Sequence, residues 1–349
     1  MSGSLSLEAL FALVIAFFGT RWLTPLNIRL AGRYNLLAQP NDRSIHTYPT
    51  PTAGGITFGI LGIILQLGIG LMNYRQSYGI YLIRLGLISI PLLLFGILDD
   101  RYQSRARYKL LWQVITALLM FWAGYRVTYL TNPVGDNFPL GWMSLPMTIF
   151  WFVLMMNAIN LIDGLDGLAS GITCIVSVVL ATIALREGNV LAVILAGILF
   201  GSNLAFLKYN FSPATIFMGD TGSLIIGLNL AAISTAGNAS YKGLTAMTLM
   251  VPFIALAIPL LDTALAFFRR IGTGSIFRAD KAHIHHYLLA LGLSQKTIAL
   301  ITYFVTSLFG LAALGFSFSP HKVVFSTLVV LMAVLIILAY FIMHKGRKS

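Results

Sequence analysis

Two short polar stretches of this sequence place carboxylates where a divalent cation and a phosphate group could meet. GILDDRY contains the adjacent pair Asp99 and Asp100 with basic residues after it, and FMGDTGSL places Asp220 between two glycines before an apolar segment. Mg²⁺ binds one or two carboxylates together with substrate phosphates, and the N–H groups of a helix start can face an anion. Phe217 has the ring to stack on a nucleobase or to face lipid. A solvated helix end is the alternative reading of the aspartate pair.

The segment NAINLIDGLDGLASG (157–171) repeats polar residues at an interval of three. Asn157, Asn160, Asp163 and Asp166 would form one slowly drifting polar stripe if a helix continues through them. The glycines beside the stripe leave room for a ligand or a second helix. The alternative is a polar seam between packed helices.

Two further segments carry groups that suit a phosphorylated ligand. Three histidines, His283, His285 and His286, follow basic residues in FRADKAHIHHYLLALG, where imidazoles suit a diphosphate better than zinc, because no Cys or Glu accompanies them. The Pro- and Gly-rich PTPTAGGI follows Arg43 and His46. It is either a tight turn or one wall of a substrate site.

The amino-acid composition restricts the class of protein to which this sequence can belong. Of 349 residues, 58% are hydrophobic and 10% are charged, and the mean hydropathy is +0.85. Soluble proteins carry about 25% charged residues, so a soluble enzyme is excluded. The net charge of +12 would suggest nucleic acid in a soluble protein, but beside this apolar content it indicates a membrane protein without a nucleic-acid partner.

The apolar segments predict an all-α, polytopic transmembrane helix bundle of about eleven spans, with ten as the alternative. A strand barrel is excluded because the segments are continuously apolar. Most of the 23 basic residues fall on one face, which the positive-inside rule places in the cytoplasm with the C-terminus, so the N-terminus lies outside. Most of the acidic residues fall on the same face. The predicted spans lie near 5–27, 52–72, 80–98, 109–127, 142–159, 168–185, 190–207, 223–238, 246–268, 298–316 and 322–343.

Five stretches together resemble the polyprenyl-phosphate N-acetylhexosamine-1-phosphate transferases, integral membrane enzymes of the glycosyltransferase 4 type. They are PTAGG, LDDR, NAINLIDGLDGLASG, NFSPATIFMGDTGSL and ADKAHIHHYLL, in family order. The HIHH form and LLDTALAFFRR are similar to the UDP-GlcNAc:undecaprenyl-phosphate GlcNAc-1-phosphate branch. Phospho-N-acetylmuramoyl-pentapeptide transferases, which usually have three consecutive histidines here, are the second choice.

The resemblance implies transfer of a sugar 1-phosphate from a UDP-N-acetylhexosamine to polyprenyl (undecaprenyl) phosphate, with release of UMP. It implies Mg²⁺ as cofactor, with Mn²⁺ as a substitute, and a place at the start of O-antigen, teichoic acid or other envelope glycan synthesis. The enzyme would lie in the bacterial plasma membrane as one domain, 1–349, and a homodimer is left open. Its active site would form on the cytoplasmic face from the loops near 28–51, 99–108, 160–167, 208–222 and 269–297.

The resemblance also assigns roles in metal binding and catalysis. Asp220, with help from Asn160, would bind Mg²⁺. Asp99 would deprotonate or orient the lipid phosphate, Asp100 would support it, and Lys109 would be a cationic partner of this pair. The lipid phosphate would attack directly, or Asp99 or Asp100 would form a covalent phospho-aspartyl intermediate. A secondary transporter for an anionic solute is a remote alternative, since such sites lie near the bilayer midplane.

The remaining predicted contacts are to the substrates. Gln103 stands where a third Asp would complete a DDxxD pattern, and Ser44 and Thr52 fill positions that are basic in many relatives. The Gln103 departure excludes an analogy with soluble prenyltransferases, whereas the departures at Ser44 and Thr52 leave the sugar or diphosphate contacts of the early loop open. The substrate-binding residues implied by the resemblance are Asp163, Asp166, Asn210, Phe217, His283, His285, His286, Lys109, Arg43 and His46.

Overall fold

The computed structural model describes residues 2–39, 48–130, 138–236 and 293–318. Within these ranges the chain is almost entirely helical. Two short antiparallel strand pairs accompany the helices: β1 (Leu37–Ala38) with β2 (Thr50–Pro51), and β3 (Tyr129–Leu130) with β4 (Phe138–Pro139). The helices are α1 (Ser2–Ala31), α2 (Gly54–Met72), α3 (Ser77–Tyr102), α4 (Ala106–Trp122), α5 (Ser144–Ile162), α6 (Leu168–Arg186), α7 (Val190–Asn210), α8 (Gly219–Thr235) and α9 (Gln295–Phe318).

The described helices confirm an all-α membrane protein. Each of them overlaps a span expected from the sequence. The expected spans near 246–268 and 322–343 lie outside the described residues, so the total of eleven and the orientation stay predictions. Among the described residues, six segments are long and apolar enough to cross a bilayer: Leu7–Ala31, Gly54–Met72, Ser77–Tyr102, Gly141–Ile162, Leu168–Arg186 and Val190–Asn210.

Helix α8 lies inside the bundle and holds its neighbours together. It packs against α2, α3, α5 and α7, and its residues from Thr221 to Thr235 are buried. By contrast, α1 exposes large apolar side chains such as Phe11 and Trp22, and α9 exposes Phe304. Exposed apolar residues on peripheral helices suit contact with lipid, whose chains are as apolar as the side chains themselves.

The bundle has one polar end, which we define as the end where α3, α5 and α7 finish and α4, α6 and α8 begin. Hydrogen bonds made by side chains at these helix ends establish that the ends meet. Asp100 near the end of α3 binds the start of α8, Asn160 near the end of α5 contacts Asp220, and Ser170 at the start of α6 bonds Asn210 at the end of α7. Short connections and alternating helix direction therefore collect the polar sequence segments at one end.

Close backbone contact joins the start of α2 to the start of α8. The Gly54 N–H donates to the Phe217 carbonyl at 3.0 Å, and the Gly55 N–H donates to the Met218 carbonyl at 2.8 Å. A Cβ at Gly55 would overlap the backbone of Gly222. The glycines of PTAGG thus allow a helix junction, which explains their presence without requiring that they contact substrate.

We expect Gly55→Ala to destabilise the protein, because its methyl group must displace the backbone of α8. The cost should be about 1–3 kcal/mol, as for other overpacked sites, and thermal unfolding in detergent measures it. Gly68→Ala is the matched control in the same helix, since nothing lies within 4 Å of its added Cβ. Equal melting temperatures for the two variants would contradict the tight junction.

Candidate active site at the polar end

Asp100 binds the first turn of α8 with both carboxylate oxygens. Its Oδ1 accepts the Asp220 N–H at 2.6 Å, and its Oδ2 accepts the Thr221 N–H at 3.1 Å and the Thr221 hydroxyl at 2.5 Å. Gly219, with φ of 75°, permits this approach, since a Cβ there would meet the Asp100 carboxylate and the Thr52 carbonyl. The sequence indicated that the N–H groups of this helix start could face an anion. The anion that two of them bind is Asp100 itself.

Lys109 bridges carboxylates from two other helices. Its Nζ donates to Asp220 Oδ2 at 2.7 Å and forms an ion pair with Asp99 Oδ2 at 3.0 Å. The α3–α4 turn makes this possible: Gln103 adopts a left-handed φ of 51°, and α4 begins at Ala106. The Ser104 N–H in the same turn donates to Asp99 Oδ1 at 3.0 Å. Lys109 is therefore a partner of Asp99, as the resemblance implied, and also of Asp220.

The polar stripe from Asn157 to Asp166 does not stay on one helix, because α5 ends at Ile162. The Asn160 amide donates to Asp220 Oδ1 and, at 3.0 Å, to Ser223 Oγ. Asn157 instead exchanges amide hydrogen bonds with Gln113 of α4 at 2.8 and 3.3 Å. Asn157 thus forms a polar contact between two packed helices, which was one of the two interpretations of the repeat. Asn160 instead contacts the carboxylate of Asp220.

The turn between α5 and α6 is held from two sides. Asp166 Oδ2 accepts the Ala214 N–H at 3.0 Å, which ties the turn to the segment before α8. The Tyr303 hydroxyl of α9 donates to the Gly167 carbonyl at 2.5 Å. Sequence reasoning missed Tyr303, because nothing in its apolar surroundings marks it as a partner of a distant turn. It also missed Thr221, although its place beside Asp220 was a usable signal.

Asp163 begins this turn and differs from the other carboxylates. Within the part of the chain that the structure describes, its side chain accepts no hydrogen bond. Burial raises the pKa of the Asp163 carboxyl well above its usual range, and the nearby carboxylates, that of Asp220 foremost, raise it further. A bound cation or a hydrogen-bond donor from a ligand would relieve this repulsion. Asp163 thus differs from Asp99, Asp100, Asp166 and Asp220, each of which has a hydrogen-bond donor among the described residues.

Of the other predicted substrate-binding residues, Asn210 and Phe217 lie within the described ranges. Asn210 is 2% exposed; its amide donates to the Ile216 carbonyl at 3.0 Å and accepts from Ser170 Oγ at 3.1 Å. Phe217 is half-buried in the loop before α8, and its N–H donates to the Pro51 carbonyl at 2.7 Å. Their roles toward substrate stay predictions. Arg43, His46, His283, His285 and His286 lie outside the described residues.

The carboxylates of Asp99 and Asp220 supply some, but not all, of the ligands that a hard divalent cation needs. No group of three or more His, Cys, Asp or Glu side chains with metal-binding geometry occurs in the described ranges. The Lys109 ammonium nevertheless brings the Asp99 and Asp220 carboxylates to a common cation. Two carboxylates completed by substrate phosphates are a normal Mg²⁺ environment, so Asp99 and Asp220 fit such an ion when substrate supplies the other ligands.

Comparisons with known proteins agree on one family. Residues 82–238 match the model of glycosyl transferase family 4. A probable undecaprenyl-phosphate N-acetylglucosaminyl 1-phosphate transferase of Bacillus subtilis is 37% identical, covering 87% of this chain and 83% of its own. A decaprenyl-phosphate N-acetylglucosaminephosphotransferase of Mycobacterium tuberculosis is 34% identical over 91% and 84%. A phospho-N-acetylmuramoyl-pentapeptide-transferase of Caldicellulosiruptor bescii is 30% identical over 89% and 98%.

We expect Asp100→Ala and Asp163→Ala to differ in stability. Asp100→Ala leaves the first donors of α8 without their acceptor and should lower the free energy of unfolding by about 1–3 kcal/mol. Asp163→Ala removes a carboxylate without hydrogen bonds and should leave stability unchanged or higher. Thermal unfolding of both variants in detergent, without substrate or divalent cation, is the measurement. A larger loss for Asp163→Ala than for Asp100→Ala would contradict this division of roles.

Proposed function

We propose, because the chain belongs to glycosyl transferase family 4, that it transfers N-acetylglucosamine 1-phosphate from UDP-GlcNAc to a polyprenyl phosphate and releases UMP. The relatives named for this reaction are 37% and 34% identical to the chain, and the pentapeptide-transferase relative is 30% identical. GlcNAc 1-phosphate is therefore favoured over the phospho-N-acetylmuramoyl-pentapeptide. One observation carries the proposal: carboxylates from α3 and α8 share one cation position at the polar end.

The reaction that we propose is a direct displacement. An oxygen of the lipid phosphate attacks the β-phosphorus of the UDP-sugar, and the bond from this phosphorus to the oxygen shared with the α-phosphate breaks. UMP leaves with that electron pair. Phosphoryl transfer of this kind needs mainly positioning and cations rather than covalent chemistry, and the polar end offers carboxylates and basic residues for these tasks.

The hydrogen bonds of the aspartate pair favour direct attack over a phospho-aspartyl intermediate. Both Asp100 oxygens bind the start of α8. The Asp99 side chain is 1% exposed; its Oδ1 accepts the Ser104 N–H, and its Oδ2 lies 3.0 Å from the Lys109 ammonium in an ion pair. Neither carboxylate presents a free, exposed oxygen as a nucleophile. Asp99 is better placed to orient groups around Lys109, and Asp100 is better placed to position Asp220 through the helix start.

We assign Mg²⁺, with Mn²⁺ as a substitute, to the carboxylates of Asp220 and Asp99. When bound, the ion would neutralise the charge of the donor diphosphate. Asn160 fixes the orientation of Asp220 through its amide hydrogen bond, and its carbonyl oxygen is the group that could face the ion. Asp163, which has no hydrogen-bond donor among the described residues, would face the uridine part of the donor.

We further propose that the polar end faces the cytoplasm of a bacterial cell. Arg101, Arg105, Arg107 and Lys208 cluster at this end, as the positive-inside rule requires of the cytoplasmic side. A water-soluble UDP-sugar in the cytoplasm would then reach the carboxylates directly. A site at the end of the helices also argues against a transporter, whose site would lie near the bilayer midplane.

We expect the purified protein to release UMP from UDP-GlcNAc when undecaprenyl phosphate and Mg²⁺ are present. Asp220→Ala should lower the rate about a hundredfold to a thousandfold, a loss typical for the removal of an essential electrostatic group. Glu187→Gln, a carboxylate change at the opposite end of the bundle, should retain the rate. Faster release from UDP-MurNAc-pentapeptide would reverse the substrate assignment, and near-normal activity of Asp220→Ala across a range of Mg²⁺ would defeat the metal assignment.

The orientation can be tested separately, because the chain has one cysteine, Cys174, which is buried. In a Cys174→Ser background, single cysteines at Arg105 and Arg126 place thiols at exposed positions on opposite ends of the bundle. A membrane-impermeant maleimide added to intact spheroplasts should label the cysteine at 126 and spare the one at 105. The reverse pattern would place the polar end outside the cell.

A further inference from the structure

We propose that Lys109 is an exchangeable counter-cation of the metal site. Its ammonium holds Asp99 and Asp220 together when no divalent ion is bound, and it leaves these oxygens for the phosphates of an anionic substrate when the ion binds. This inference rests on the proposed function, which supplies both the ion and the phosphates. It adds a specific exchange between the lysine and the metal.

The Lys109 ammonium lies between the carboxylates of Asp99 and Asp220, within 3.0 Å of one oxygen of each. Asp220 Oδ1 accepts the Asn160 amide, and Asp220 Oδ2 accepts Lys109 Nζ at 2.7 Å. Asp99 Oδ1 accepts the Ser104 N–H at 3.0 Å, and Asp99 Oδ2 pairs with Lys109 Nζ at 3.0 Å. A divalent ion that binds Asp99 Oδ2 and Asp220 Oδ2 together would need the position that the ammonium occupies between them.

Of the described groups that contact these two carboxylates, Lys109 is the one that can move away most easily. The Ser104 N–H is part of the α3–α4 backbone, and the Asn160 amide is also held by Ser223. Lys109 is the remaining partner, and its ammonium sits on a flexible four-carbon stem. An ion bound at about 2.0–2.1 Å from the same oxygens would also lie so close to the ammonium that the two cations repel each other strongly. The lysine and the ion therefore compete for one position.

The Lys109 ammonium also has access to water at the polar end. The Lys109 side chain is 19% exposed and lies near the start of α4, where the neighbouring Arg105 and Arg107 are exposed at the polar end. An ammonium displaced from the carboxylates can therefore reach water without any helix moving. A donor diphosphate or lipid phosphate at this end would offer it charge-assisted hydrogen bonds. Arrival of the metal would thus make a phosphate-binding cation available.

The first test measures binding of Mn²⁺ alone to the full-length protein in detergent, without substrate, from the free-ion signal in electron paramagnetic resonance. We expect the Kd of Lys109→Met for Mn²⁺ to be roughly tenfold lower than that of the unaltered protein. A change of this size is usual for the coupling free energy between two binding events. Arg107→Met removes the same charge from the same helix start and should change the Kd by less than about twofold, because exposed charges are screened. Equal Kd values for the two variants, or weaker binding by Lys109→Met, would overturn the exchange.

The second test follows the ammonium itself. An amine-acylating reagent is applied to the unaltered protein with and without Mg²⁺, and mass spectrometry measures the rate of modification at each lysine. The rate at Lys109 should rise with Mg²⁺, whereas the exposed Lys296 should react at the same rate in both conditions. A rate at Lys109 that falls or stays constant while Mn²⁺ binding is measurable would overturn the proposal.

The two tests separate this inference from the proposed function, because neither requires turnover. If the protein releases UMP but the reactivity of Lys109 does not change, the proposed function is supported and the exchange is overturned. If the exchange is observed but no sugar phosphate is transferred from any UDP-sugar, the exchange is supported and the proposed function is overturned.

Discussion

The ammonium of Lys109 between Asp99 and Asp220 is the interaction on which the polar end depends. It joins three helices, α3, α4 and α8, through one charge at distances of 2.7 and 3.0 Å. Carboxylates in an apolar bundle are costly unless a cation or hydrogen-bond donors compensate them. The short α3–α4 turn brings Lys109 back to Asp99, and the glycine contact between α2 and α8 helps to fix the start of the helix that carries Asp220. Both connections therefore help to place Lys109 and Asp220 within reach of each other.

Adjacent residues in the aspartate pair have different tasks because successive residues of an α-helix point about 100° apart. Asp99 faces Lys109, whereas Asp100 faces the first turn of α8 and acts as its cap. The pair therefore supplies one member of the cation site and one positioning group. Asp220 depends on both, since Asp100 binds its backbone N–H and Lys109 binds its side chain. Substitutions at either aspartate would impair transfer for different physical reasons.

The positions of the described spans and the convergence of Asp99, Asn160 and Asp220 could be predicted from the sequence. Long apolar segments fix helix positions by length alone, and the alternation of helix direction then collects the polar segments. Three features could not be predicted. The first is the end of α5 at Ile162. The polar repeat continues past this residue, so the repeat gives no sign of where the turn begins. The N–H groups of α8 bind Asp100, a partner distant in sequence. Tyr303 holds the turn at Gly167 from an otherwise apolar helix.

A crystal structure of the protein grown with Mn²⁺ and a UDP-sugar would test the central claim most directly, through the anomalous signal of the metal. The account predicts one strong peak within about 2.3 Å of an Asp220 oxygen, the distance range for Mn²⁺ and other hard cations with oxygen ligands. The Lys109 ammonium should then be turned from Asp99 toward the diphosphate. A peak remote from Asp99 and Asp220, or a metal bound while Lys109 still bridges the two carboxylates, would contradict it.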